Sequence, residues 1–138
     1  NRVFLDEGLA SLYGATSVKG SDLRAFDAPP SERRGLLTQA GPMAMLADFA
    51  RTSPVRRGHF VLERLLCQRL PDPPQGAAEA RDALGDTSKL DARALAEAHA
   101  RDPSCASCHD LIDPIGLAFE RYDAAGRYRT VDQGRTID

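Results

Sequence analysis

The chain has 138 residues, 42% of them apolar and 28% charged, with no tryptophan and a net charge of −2. That length suits one domain of ordinary size, able to bury a core without staples. The weak negative balance argues against nucleic acid as a main partner, and the longest apolar run, around Met43 to Ala47, is far too short to cross a bilayer.

Leu5, Leu9 and Leu12 fall at i, i+4 and i+7, which predicts a short amphipathic helix ending near Tyr13-Gly14. Residues 17–34 are polar and contain Pro29-Pro30, so they read as loop with at most a short strand. Gly35 to Gln39 and Met43 to Phe49 are apolar and flank Gly41-Pro42, a predicted break. Ser53-Pro54 has the pattern of a cap followed by proline at the first helical position. The helix it starts is expected to reach about Cys67, with Val55, His59, Leu62 and Leu66 on its apolar stripe. Pro71, Pro73 and Pro74 force an extended connector. Ala77 to Leu84 is a helix candidate ended by Gly85, and Asp91 to Ala100 is another, stopped by Pro103. Asp113-Pro114 predicts a restarted helix with Asp113 as its cap, burying Ile115, Phe119 and Tyr122 and ending at Gly126; Arg127 to Val131 reads as a short strand.

Between the last two helix candidates stands the one stretch that names a chemistry, Cys105-Ala106-Ser107-Cys108-His109. C-x-x-C-H is the attachment signature of a c-type haem. The spacing puts both sulfurs on one face of a helical turn, where each thiol adds across a porphyrin vinyl, and the adjacent histidine ligates the iron. Two other readings compete. A redox dithiol sits after a strand at a helix start, and no strand pattern precedes Cys105. A zinc site of Cys105, Cys108, His109 and Cys67 needs neighbours Cys108 and His109 to converge on one small ion, which is awkward for a tetrahedron. Haem attachment takes two of the three cysteines and leaves Cys67, which reads as a buried small apolar residue.

The sixth iron ligand decides between electron carrier and ligand-binding site. His99 lies six residues before Cys105 with Ala92, Leu95 and Ala96 as helical neighbours, small enough for a flat ring to approach. Met43 and Met45 sit in an apolar segment and are the alternative distal ligands, with core filling as their ordinary role. His59 reads as a core or surface-edge histidine, and an open sixth position completes the set. Arg56, Arg57, Arg127 and Arg129 are candidates for pairing with haem propionates, Arg127 and Arg129 foremost.

The stretch from His99 through Cys105-Ala106-Ser107-Cys108-His109, Asp113-Pro114, Gly116, Phe119-Glu120, Tyr122-Asp123 and Gly126-Arg127-Tyr128-Arg129 resembles the planctomycete-type cytochrome c domain of long secreted bacterial proteins. Gly35-Leu36-Leu37-Thr38-Gln39, Thr52-Ser53-Pro54-Val55-Arg56-Arg57-Gly58 and the leader from Leu9 to Tyr13-Gly14 are similar to the same family. The resemblance implies a haem c on Cys105, Cys108 and His109 and a role in electron transfer, without naming donor or acceptor. Many relatives carry methionine where this chain has Ile112; so close to His109, that position lies on the proximal side, and no loss of haem binding is expected.

The expected fold is mostly α: a small cytochrome c-like helical domain with long proline-containing loops around one haem. It is expected to be a single domain over 1–138, with an N-terminal helix and loops at 1–52 and a haem-binding helical part at 53–138. The opening at Asn1 without methionine suggests a piece of a longer multidomain chain. The expected function is that of a mono-haem c-type cytochrome domain with one covalent haem, periplasmic or otherwise extracytoplasmic, serving a redox partner protein or fused domain. The alternatives are a haem enzyme or ligand-binding domain with an open sixth site, and a zinc-stapled interaction module.

Overall fold

The computed structural model describes residues 1–77, 79 and 83–137. Strand β1 (Arg2–Leu5) pairs antiparallel with β2 (Arg24–Asp27), placing Val3 opposite Phe26. Between them, α1 (Glu7–Ala10) starts at Asp6, whose carboxylate accepts the Leu9 N–H at 2.8 Å. Leu5, Ala10, Ala15 and Val18 form a small buried cluster, with Val3, Tyr13 and Phe26 packed against it. The leucine spacing therefore does not mark one helix. Asp6 caps a new element after Leu5, the β-favouring Val3-Phe4 pair finds a partner strand, and Leu9 stays exposed.

A 3₁₀ turn at Leu36–Thr38 leads into α2 (Ala40–Met45). Gly41-Pro42 is its first turn and not a break, because a proline there lacks only an N–H that has no intrahelical acceptor anyway. Helix α3 (Pro54–Phe60) starts as predicted, with Ser53 Oγ accepting the Arg56 N–H, and continues as a π-helical turn over Val61–Leu65. Of the predicted stripe only Leu62 is buried. Arg57 and Gly58 face inward with it, while Val55, His59 and Leu66 are exposed. Cys67 closes this helix in the left-handed region at φ 52° and is exposed, contrary to the buried residue expected. Pro71 to Pro74 carries no regular structure, and most of the helix expected over Ala77 to Leu84 lies outside the described residues.

Helix α4 (Ala92–His99) is capped by Asp91 and α5 (Pro103–Leu117) by Asp102, whose carboxylate accepts the Ser104 N–H at 2.9 Å. Here the structure corrects the reading of Asp113-Pro114. Helix α5 runs straight through Pro114, so Asp113 is an interior residue and not a cap. An interior proline costs about 3 kcal/mol, and packing on α3 offsets it. The two helices touch backbone to backbone: a Cβ on Gly58 would lie 2.2 Å from the Ile112 carbonyl oxygen, and one on Gly116 would lie 1.9 Å from that of Pro54. These contacts grip α5 on both sides of Pro114. The helix ends at Leu117, well before Gly126, and the strand expected over Arg127 to Val131 is reduced to a Tyr122–Tyr128 bridge. A hairpin of β3 (Val131–Asp132) and β4 (Arg135–Thr136) follows.

Two buried arginines tie these elements together. The Arg57 guanidinium, fully enclosed, donates to the carbonyls of Phe119, Tyr122 and Asp123 at 2.9–3.1 Å, to Met43 at 3.4 Å and to Glu120 Oε1 at 3.2 Å. Glu120 also accepts from Thr52 Oγ1 at 2.7 Å and from Arg129 at 2.9 Å. Burial pushes the Arg57 guanidinium down and the Glu120 carboxyl up from their ordinary values, the cost of taking both charges out of water. Arg33 donates to Leu12, Thr38 and Gly126 carbonyls, with its guanidinium 4.3 Å from the Tyr13 ring centre.

Helices are the main regular structure, but the two small sheets make this a mixed small domain instead of a plainly cytochrome-like helical fold. Among the described residues no helix is long and apolar enough to cross a membrane.

Arg57→Met leaves buried carbonyls without their donor and Glu120 without one of its two arginines, and is expected to cost about 3–5 kcal/mol. Gly116→Ala forces α3 and α5 apart and is expected to cost about 1–3 kcal/mol. Urea unfolding followed by circular dichroism checks both as a lowered midpoint with an unchanged slope.

Candidate functional site

Helix α5 presents the motif at its N-terminal end. Cys105, Cys108 and His109 stand at i, i+3 and i+4, a spacing that brings them to one side of the helix. Pro103 suits the first turn, and Asp102 caps the helix three residues before Cys105. Cys105 is buried, with its sulfur 3.9 Å from Ser104 Oγ, whereas Cys108 is half-buried.

His109 is held by its own helix. Its Nδ1 lies 3.1 and 3.0 Å from the two carboxylate oxygens of Asp113, one turn on, and both side chains are only 12% exposed. The hydrogen bond to Asp113 raises the His109 imidazole above its ordinary range, against an opposing push from burial. With Nδ1 committed, Nε2 is the nitrogen left for a further ligand. Asp113 was read from sequence as a cap; the i, i+4 spacing of His109 and Asp113 was the available signal for this pairing.

His99, at the end of α4, lies against His109. The ring centres are 4.5 Å apart and the planes tilted by 27°, a face-to-face stack. Were a haem held on His109, His99 would be the imidazole next to it, and it would have to leave this stack to serve as a second ligand. Beside the pair, α4 and α5 border an open cleft of about 620 Å³, where the apolar Ala96, Ala100, Pro114, Leu117 and Ala118 meet the charged Arg93, Glu97 and Asp110 as well as His109 and Asp113; neither cysteine lines it. That volume falls within the range of small-molecule sites.

The other candidates lie elsewhere. Met43 is buried on α2 and Met45 is 83% exposed; neither lines this cleft. His59 is exposed and 3.5 Å from Glu63. Arg127 and Arg129 border a different cleft, of about 420 Å³, where Arg127 pairs with Asp123 and Arg129 with Glu120 and Asp132. Arg56 donates to the Ala47 carbonyl and pairs with Asp48. Arg57 is enclosed in the core, so the structure removes it as a propionate contact. The anchoring roles of Arg33 and Arg57 were not legible in the sequence, where an arginine carries no sign of burial.

The donor set fits a covalently held haem: two thiols at the C-x-x-C spacing on one helix, an imidazole beside them with one nitrogen committed, and a cleft that His109 borders. It fits a bare metal ion less well. Among the described residues no three His, Cys, Asp or Glu side chains are grouped to hold one, and the pocket at Cys67 is bordered only by residues from Glu63 to Leu70.

The family PSCyt3, a protein of unknown function (DUF1588), matches residues 33–132, a span that contains the motif, both buried arginines and the helices from α2 to α5. No curated protein and no solved structure matches the chain.

In the haem-free folded chain, iodoacetamide is expected to alkylate Cys67 first, Cys108 more slowly and Cys105 last, following their exposure. Peptide mapping by mass spectrometry over a time course reads the order; early modification of Cys105 contradicts its burial.

Proposed function

Because the chain belongs to the PSCyt3 family, a planctomycete cytochrome c-type domain family, we propose that it is a mono-haem c-type domain that passes single electrons outside the cytoplasm. The observation that carries this reading is the arrangement on α5, where both thiols and an imidazole with Nδ1 already engaged share one side of one helix. When bound, the haem supplies a one-electron ferric–ferrous couple. Cys105 and Cys108 hold it by two thioethers, each formed as a thiol S–H adds across a vinyl C=C. His109 offers Nε2 as the proximal ligand, and Asp113 keeps that ring in one tautomer and orientation. Ala96, Ala100, Leu117 and Ala118 supply apolar surface to the cleft beside it. Attachment to C-x-x-C-H takes place on the outer side of energy-transducing membranes, which supports a periplasmic or otherwise extracytoplasmic location, with a redox partner protein or fused domain as donor or acceptor.

His99 is the nearest candidate for the sixth ligand, and its stacked position favours a second reading, an iron with an open sixth site. In that reading the domain binds or activates a small ligand.

Produced with a cytochrome c maturation system, the protein is expected to give a positive pyridine haemochrome and to lose all covalent haem in the Cys105→Ala/Cys108→Ala variant. Colourless protein under those conditions sinks the proposal. In the coloured protein, a low-spin ferrous spectrum unchanged by carbon monoxide supports the carrier, and a carbon monoxide shift supports the open site. If His99 is the sixth ligand, His99→Ala converts the first spectrum into the second.

A further inference from the structure

The C-x-x-C-H pattern says nothing of what holds the outer nitrogen of its histidine, and in this chain the neighbour is a carboxylate. Asp113 caps no helix: it lies inside α5, and its carboxylate meets His109 Nδ1 at 3.0 and 3.1 Å. The pair is also shielded, each side chain 12% exposed, unlike the solvated i, i+4 pairs that contribute little. Both residues lie on the continuous stretch of α5 ahead of Pro114, where Gly58 of α3 packs directly against the Ile112 carbonyl.

We infer that Asp113 is a positioning residue that makes His109 a strongly donating iron ligand and holds the domain at low potential, an inference that rests on the haem reading above. The Nδ1–H donates to the carboxylate, which increases the electron density that Nε2 offers to the iron. A more basic axial ligand stabilises the ferric form over the ferrous form, so the couple shifts downward compared with a histidine whose Nδ1–H meets a neutral acceptor. Asp110 provides the internal comparison. It borders the same cleft next to His109, carries the same charge, and makes no hydrogen bond to that ring among those observed. Removing Asp110 reports the effect of charge alone, while removing Asp113 reports charge and hydrogen bond together.

The test is spectroelectrochemical titration of the matured haem protein. Asp113→Asn keeps the shape and loses the charge, and is expected to move the ferric–ferrous equilibrium about tenfold toward ferrous, a rise of about 59 mV for a one-electron couple. Asp110→Asn is expected to move it clearly less, and Asp113→Glu to restore most of the wild-type value. Asp113→Ser replaces the Asn variant if the latter does not accumulate folded. Haem present with an unmoved potential in Asp113→Asn overturns the role of Asp113 alone, as do equal shifts at Asp110 and Asp113. Absence of haem from the matured wild-type protein overturns the proposed function and this inference with it.

Discussion

The fully enclosed guanidinium of Arg57 is the contact on which the rest of the domain depends. It stands on α3 and gathers carbonyls from α2 and from the segment after α5, along with the carboxylate of Glu120. Among the described residues the large side chains enclosed almost completely are only Arg33, Arg57, Leu5 and Met43, and two of these four are arginines. A chain with a modest apolar core can still order its loops by converging their carbonyls on a buried cation, because each charge-assisted hydrogen bond contributes about 1.5–3 kcal/mol. Desolvation is the opposing term, and it is met by near neutrality: Arg57 and Arg129 face Glu120 and Asp132. Arg33 repeats the device between Leu12, Thr38 and Gly126, joining the N-terminal sheet region to the segment after α5.

That anchoring has a direct consequence for the motif. With Arg57 drawn into the core, its neighbour Gly58 comes to lie against Ile112, and Pro54 against Gly116. Contact without intervening side chains holds α5 helical across a proline that on its own would end it. The gain is positional. Residues 105 to 113 remain on one continuous helix, and the carboxylate of Asp113 reaches His109 instead of capping a second segment. The second histidine arrives on α4, capped at Asp91 and turned back by Asp102-Pro103. Helix packing, a buried arginine and the ligand geometry are thus successive effects of one contact surface.

Much of the local organisation was legible from residue types. Ser53-Pro54 starts a helix where cap chemistry places it, the helix expected over Asp91 to Ala100 is found at Ala92–His99, and Pro71 to Pro74 form an irregular connector. The misreadings share a cause: a local signal was overruled by a distant partner. Leu5 left its helical stripe because Arg24 supplied a strand, Asp113-Pro114 continued a helix because α3 braced it, and Arg57 entered the core because carbonyls from α2 and from the segment after α5 met it there. Periodicity describes one element at a time and cannot register a partner 20 to 60 residues away.

The sequence by itself determined the chemistry that the chain carries: the two thiols and the histidine at Cys105, Cys108 and His109, and the helical turn that brings them to one side. Their covalent spacing needs no tertiary information. Only the tertiary structure decided what surrounds them. It committed His109 Nδ1 to Asp113, laid His99 on the face of that ring, sent Arg129 and Arg57 into structural networks, and left Met45 in solvent. The physical reason is that a motif's donors are set by bonds along the chain, whereas their orientation, burial and partners are set by whichever distant backbone approaches closely enough to touch them.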